Sequence, residues 1–391
     1  MEKVKIIDFC NISNGFAFKS DKYISENGAR VIRITNVQKG KIVDNDPKLY
    51  PFSELDKLEA YKIFEGDILM SLTGNVGRVG RFPKELLPAY INQRVCRVMP
   101  KNEKLDTNFL FHFLNSDVFE NEAIKNSAGA AQLNLSTKWL GDFEIPLPNL
   151  ATQQRIAAIL DQADAIIQNN RAIVQKYDAL TQSLFLDMFG DPVKNEKGWE
   201  IRKMEEISLK ITDGTHQSPK FLKEGIPFLL VSNIVNNKIN YKTNKFISEE
   251  DFETLNKRTP IEIGNILLTS VGSYGNPAII ESQMKFAFQR HIAFIKPNHS
   301  MINYHFLFHF LKSDLIKREI DKKVKGAAQK TYNLVELKKL RIILPTITLQ
   351  NQFAERVAVI EAQKQQAQLE LAKSEELFNS LLQRAFKGEL N

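Results

Sequence analysis

Several short polar clusters in this sequence carry donors and acceptors in patterns suited to reading the edges of base pairs. Asn92-Gln93-Arg94 and Gln289-Arg290-His291 place amide and guanidinium groups in short stretches between apolar runs. Arg offers paired donors that match guanine, and Asn or Gln pairs a donor with an acceptor, as adenine requires. Ser71, Thr73, Asn75 and Arg78 follow one apolar run, while Thr269, Ser270, Ser273, Tyr274 and Asn276 follow another. Thr35-Asn36 and Ser232-Asn233 form a third pair, and Lys325, Gln329 and Lys330 close a basic stretch. Lys side chains suit phosphate contacts, which position a duplex without specifying its sequence. For each of these residues two readings stay open, contact with a duplex or decoration of a solvent-facing turn.

The clusters come in pairs because the chain repeats itself at a shift of 197 residues. Phe109-Leu110-Phe111-His112-Phe113-Leu114-Asn115-Ser116-Asp117 matches Phe306-Leu307-Phe308-His309-Phe310-Leu311-Lys312-Ser313-Asp314, with one difference. Gly129-Ala130-Ala131-Gln132 meets Gly326-Ala327-Ala328-Gln329, and Gln153 meets Gln350. Two domains that read different half-sites should share loop positions while differing in loop chemistry. Ser71, Thr73, Asn75 and Arg78 stand opposite Thr269, Val271, Ser273 and Asn276, as that expectation requires.

Other chemistries find little footing in the sequence. A Pro-Pro dipeptide that would hold a flipped adenine is absent, as are a GxxxxGK[ST] phosphate loop and an HExxH pair. Gly74, Gly77 and Gly80 read as a tight turn in a sheet. His112 and His309 lie in apolar helical runs, where packing is favoured over metal ligation. Cys10 and Cys96 sit in apolar stretches and read as buried small hydrophobes.

The elements that must position the polar clusters follow from composition and periodicity. With 391 residues, 43% hydrophobic and 25% charged, the chain reads as a folded protein of two or three domains. No apolar run reaches membrane-span length, so no membrane partner is expected and the cytoplasm is the default address. The net charge of +7 arises in the second half, because residues 1–197 carry 25 basic and 25 acidic side chains. That excess is weak support for an anionic partner. Residues 30–37, 63–72 and 90–99 read as strands and 108–125 as a helix, so each copy opens with an α+β domain.

Residues 152–188 contain neither Pro nor Gly and repeat apolar positions at heptad spacing, and residues 349–386 do the same. At ~1.5 Å per residue the first makes a helix of about 55 Å. Ile156, Ile159, Ile166, Ile173, Tyr177 and Leu180 form one expected packing stripe, and Phe353, Val357, Ile360, Leu371 and Phe378 the other. Packing the two stripes together as an antiparallel coiled coil is the favoured arrangement, with each helix lying across its own domain as the alternative. The expected order is a domain at 1–148, a helix at 149–190, a linker at 191–198, a second domain at 199–345 and a second helix at 346–391. The fold class is α+β, with two pseudo-two-fold-related domains separated by the helices. Such helices would hold two readers on successive turns of one duplex.

Asp142-Phe143-Glu144-Ile145-Pro146-Leu147-Pro148, followed by Gln153-Gln154-Arg155-Ile156-Ala157-Ala158-Ile159-Leu160-Asp161, resembles a known junction. It is that between target recognition domain and conserved helix in specificity subunits of type I restriction-modification systems. Leu340-Arg341-Ile342-Ile343-Leu344-Pro345 with Leu349-Gln350-Asn351-Gln352-Phe353 is a similar, degenerate second appearance. Gly66-Asp67-Ile68-Leu69-Met70-Ser71 with Gly74 and Gly77 extends the likeness, which covers essentially the whole chain. The resemblance implies a non-catalytic subunit that reads a bipartite target in double-stranded DNA, one half per domain, with the gap set by the helices. It also implies docking of two methyltransferase subunits, with restriction or translocase subunits as further partners. Those partners would use S-adenosylmethionine, ATP and Mg, and this chain would bind no cofactor. A duplicated scaffold that holds two protein partners and never touches DNA is the rival reading.

Overall fold

The computed structural model describes residues 2–127, 133–326 and 330–390. Two compact units are present. Met1–Arg171 joins Leu369–Asn391 to form the first, and Ala172–Gln368 is the second.

In the first unit a six-stranded sheet runs in the order Cys10–Asn14, Val95–Pro100, Ile68–Ser71, Val79–Arg81, Gly40–Ile42, Val37–Gln38. Ile68–Ser71 is central and buried at all four positions, so its sequence shows no polar alternation. A three-stranded sheet orders Leu49–Pro51, Gly28–Ile32 and Ala89–Ile91, the last two parallel. Lys3–Lys5 pairs antiparallel with Glu144–Pro146, which ties the start of the domain to its end beside the first long helix.

The second unit repeats this plan. Ser208–Asp213, Ile292–Pro297, Ile266–Thr269 and Pro277–Ile279 form one sheet; Phe246–Ile247, Ile226–Leu229 and Ala287–Phe288 form another. Glu200–Lys203 pairs with Arg341–Leu344 as the closing ribbon.

Three sequence expectations are refined by local chemistry. The strand expected at 30–37 breaks because the Asn36 side chain accepts from Arg33 N at 2.9 Å and donates to Val43 O at 2.9 Å, closing a turn. The run 90–99 divides into Ala89–Ile91 and Val95–Pro100, which belong to different sheets, so Asn92-Gln93-Arg94 is the crossover between them. The helix expected at 108–125 is two helices, Thr107–Leu114 and Asp117–Lys125. Ser116 breaks it by taking an extended backbone and capping Phe119 N at 3.2 Å. Ser313 does the same between Tyr304–Lys312 and Asp314–Asp321.

The long helices run Leu150–Phe189 and Ile347–Lys387. Each unit holds the first part of one and the last part of the other. In the first unit Asn170 Nδ2 donates to Ser374 Oγ at 2.8 Å and Arg171 pairs with Glu375 at 2.7 Å. There Ile156, Ala157 and Leu160 share one core with Phe109, Leu110, Phe113, Leu382 and Ala385. The Phe386 ring lies 4.9 Å from Phe113 and 5.5 Å from Phe109. In the second unit Lys364 pairs with Asp178 at 2.7 Å, while Phe185 and Phe189 pack on Phe353 at 5.6 and 5.3 Å. Residue numbers rise on one helix as they fall on the other, so the pairing in that unit is antiparallel. Each domain core is thus completed by the end of the helix that starts in the other repeat.

The packing stripe is not the one the heptad spacing suggests. Ile156, Phe353 and Val357 are buried, and Ile159, Tyr177, Ile360, Leu371 and Phe378 are half-buried. Ile166, Ile173 and Leu180 are instead 50%, 42% and 48% exposed. The buried face of the first helix is Ile156, Leu160, Ala163 and Ile167, followed by Thr181, Phe185 and Phe189. Successive residues point about 100° apart, so with Ile167 turned inward Ile166 must turn out, and Ile173 and Leu180 follow it at seven-residue steps.

Candidate nucleic-acid interface

The candidate interface of the first unit forms where the chain crosses between sheets. The turn after Ile68–Ser71 is closed by Ser71, whose backbone N donates to Arg78 O at 2.9 Å, and by Gly77 N to Ser71 O at 3.0 Å. Beside it lies the crossover, with Leu72 N donating to Arg94 O at 2.9 Å. Gly74 N donates to Leu133 O at 3.1 Å, and Thr73 bridges to Asn134. Thr73, Gln93, Arg94 and Asn134 therefore surround a hollow of about 390 Å³. Gln93, Arg94 and Asn75 are exposed, while Thr73 is buried and its Oγ1 has no hydrogen-bond partner among the described residues. Arg78 Nη1 donates to Gln38 Oε1 at 2.8 Å, and Gln38 in turn donates to Thr35 O, which brings the exposed Thr35 to the same side.

The second unit builds the same frame from other side chains. Thr269 N donates to Asn276 O at 3.1 Å, Gly275 N to Thr269 O at 2.7 Å, and Ser270 N to His291 O at 2.9 Å. Gly272 N donates to Lys330 O at 3.0 Å, and Lys325 pairs with Thr331 across a short bridge. Ser273, Arg290, Lys325 and Lys330 are exposed, and Asn92, Gln289 and His291 are half-buried in their respective crossovers. His291 is held below the ordinary imidazole range by burial and then by the neighbouring Arg290 charge. Gln132 and Gln329 lie outside the described residues.

Some expected readers are structural. Ser71 and Thr269 are fully buried; Ser71 Oγ donates to Asn75 O, and Thr269 Oγ1 donates to Ser273 O at 2.5 Å. Asn36 and Asn233 are 4% and 7% exposed and spend their amides on their own turns, Asn233 accepting from Leu230 N and donating to Asn240 O. Ser270 is also buried. Asn276 Nδ2 donates to Ser273 O at 2.7 Å, and Tyr274 Oη donates to Asp321 at 2.9 Å beneath the Lys317 ammonium. These positions recur in both copies because the turn needs a hydroxyl or amide to close it, a demand that a repeat cannot distinguish from recognition.

Sequence reading missed a further loop in each unit. Gln93 N donates to Phe16 O at 2.8 Å, and Arg290 N donates to Thr215 O at 3.0 Å. Gly15 and Gly214 make this approach feasible, since a Cβ on either would sit 2.1 Å from a backbone oxygen, that of Asn92 or of Phe288 respectively. The loop following Gly214 exposes His216 and Gln217, with His216 Nε2 2.9 Å from Asp213 and Arg258 pairing with that carboxylate at 2.6 Å. The matched dipeptides Asn14-Gly15 and Asp213-Gly214 were the available signal.

The two repeated histidines are buried. His112 Nε2 lies 2.7 Å from Asp161 Oδ1, and Asn108 holds the other carboxylate oxygen at 2.8 Å. Burial lowers the His112 pKa, and Asp161 opposes that shift. Burial, reinforced by Lys312, His305 and Lys364, drives His309 down to about 3. Cys10 and Cys96 are buried with thiols pushed up to about 12, in keeping with inert hydrophobes. Among the described residues no group of three or more His, Cys, Asp or Glu is placed to hold a metal, and no helix is long and apolar enough to cross a membrane.

A family model described as the type I restriction modification DNA specificity domain matches residues 1–176 and again 196–371. The chain belongs to this family. Its members include the type I restriction enzyme EcoBI specificity subunit of Escherichia coli, to which the chain is 27% identical over 99% of its own length and 86% of the relative's. The EcoKI specificity subunit of Escherichia coli (strain K12) is 24% identical over 96% of this chain and 86% of the relative. A chain from a solved type I R-M system matches with a TM-score of 0.59 at 17% identity, covering 99% of this chain and 98% of that one. The S subunit from M. genitalium matches with a TM-score of 0.54 at 17% identity, covering 98% and 96%. Both likenesses concern the fold. The family's two matched segments correspond to the two repeats, each carrying one crossover and one set of loops.

Proposed function

We propose that this chain reads a bipartite target in double-stranded DNA, one half with each repeat, while its long helices fix the unread gap. The observation that carries the proposal is the duplicated frame. Equivalent backbone hydrogen bonds present Asn75, Gln93 and Arg94 in one copy and Ser273, Gln289, Arg290 and His291 in the other. Equivalent backbone frames that present partly different donors suit the reading of two different half-sites. Thr35, Thr73, Arg78 and Asn92 in the first copy and Ser232, Lys325 and Lys330 in the second would supply flanking base or phosphate contacts.

A 40-residue helix spans about 60 Å, enough to bridge more than one turn of a duplex. Exposed Ile166 in the first unit, and exposed Ile173 and Leu180 in the second, suit docking of methyltransferase subunits, two in all, with restriction or translocase subunits joining them in the cytoplasm. Methyl transfer and ATP-driven steps would belong to those partners, with S-adenosylmethionine, ATP and Mg as their cofactors. Reading the target asks for no catalytic residue in this chain and no cofactor. Methylome sequencing of cells that produce the chain with its methyltransferase partner tests this. A recurrent motif of two short blocks with a constant gap is expected; absence of any new motif, or one unbroken block, contradicts it.

A further inference from the structure

The second unit contains a groove of about 920 Å³ bounded by both long helices, the helix Asp314–Asp321 and the turn at Asn236-Asn237-Lys238. Lys238, Lys312, Arg318 and Lys364 line it against two carboxylates, Asp178 and Asp314. Asp178 pairs with Lys364 at 2.7 Å and lies 3.7 Å from Lys312. Arg318 and Lys238 pair with no carboxylate among the described residues. Four cations on a concave wall against two carboxylates favour an anionic guest.

His309 provides an independent sign. Its side chain lines the groove, the residue is only 9% exposed, and its imidazole meets no hydrogen-bond partner among the described residues. An imidazole that lines the cavity and meets no described partner is free to bond a guest there.

The repeat acts as an internal control. At the same shift Lys312, Arg318 and Lys364 are matched by Asn115, Asn121 and Ile167. Asp161, which satisfies His112, is matched by Ala358. The second copy has therefore a histidine without its carboxylate and three added cations on the same wall. Packing does not require these differences, because the first copy builds the same fold without them.

We propose that this groove binds a small phosphate-bearing anion. Its phosphates lie among Lys312, Arg318 and Lys364 with a hydrogen bond from His309, and any organic portion lies along Leu186 and Leu315. Such a ligand would brace the recognition domain of this unit against the long helices that border the groove. The site is separate from the crossover loops, so its failure would leave the DNA-reading proposal standing.

Calorimetric titration of the full chain with inorganic triphosphate and with ATP, both without magnesium, tests the site. Saturable binding is expected, weakened about tenfold or more for each cation removed in the Lys312→Asn/Arg318→Asn variant. Those replacements are the residues of the first copy, and an unchanged thermal transition shows that the variant is folded. His309→Phe preserves an aromatic ring, removes the hydrogen bond and is expected to weaken binding as well. Tighter binding of ATP than of triphosphate assigns a nucleotide, and equal affinity assigns the phosphate chain alone. No saturable binding of either below about 1 mM, or binding indifferent to these substitutions, overturns the proposal.

Discussion

His112 and His309 occupy matching places in two copies of one fold, yet the first shares its imidazole with Asp161 while the second faces a groove lined with cations. Their surroundings differ because the duplicated backbone frame is set by apolar packing and turn closure, while side chains that face grooves and loops are free to change. The same contrast runs through the candidate interface. Buried Ser71 and Thr269 do one job with two hydroxyls, whereas Arg94 and His291 share a place and offer different chemistry.

The largest expected effect probes the packed part of the comparison. Phe353 is fully buried against Phe185, Phe189 and His309, so Phe353→Ala should cost about 3–5 kcal/mol in denaturant unfolding. Phe386, half-buried in the first unit, should cost less when cut to Ala. Equal losses would show that the two cores do not differ as described.

Acid sensitivity separates the histidines. An unfolded histidine takes up a proton near pH 6.5, but His309, shielded by burial and faced by Lys312, Lys364, His305 and Asp178, refuses one until about pH 3. Between those values the unfolded chain binds more protons, so stability falls as pH drops, by on the order of 1.4 kcal/mol per pH unit. His309→Gln should flatten that part of the profile. His112→Gln should flatten it less, because Asp161 offsets the effect of burial. Asp161→Ala, which gives the first copy the residue of the second, should make His112 behave like His309; an unchanged profile would contradict the assigned role of Asp161.

Helix facing is sharpened by a neighbouring pair. Ile167→Ala should cost about 2–4 kcal/mol and Ile166→Ala within ~0.5 kcal/mol, since the first is 4% and the second 50% exposed. In binding, Arg290→Ala should weaken specific duplex recognition by roughly 1–3 kcal/mol if it reads a base. An unchanged sequence preference would move Arg290 to phosphate contact or scaffold duty.

Much of this organisation was legible in the sequence. Duplication exposed itself through the block at His112 and His309, and the long helices through runs free of Gly and Pro. Which isoleucine faces inward was not legible, because adjacent Ile166 and Ile167 satisfy either stripe until a core chooses one. Nor could spacing reveal that Asn36 and Asn233 close turns, since a closing amide and a reading amide are the same group until its partners are known. The loops after Gly15 and Gly214 escaped notice because their relevance depends on backbone crossing, a long-range contact that leaves only a glycine behind.

The most direct test selects bound sequences from a random duplex pool with the wild-type chain, with Arg94→Ala and with Arg290→Ala, each assembled with methyltransferase. The expected result is two conserved blocks at a constant gap, one block relaxed by each substitution and a different one in each case. Both substitutions relaxing the same block, or selection of a single unbroken block by the wild-type chain, would contradict reading of separate half-sites by the two repeats.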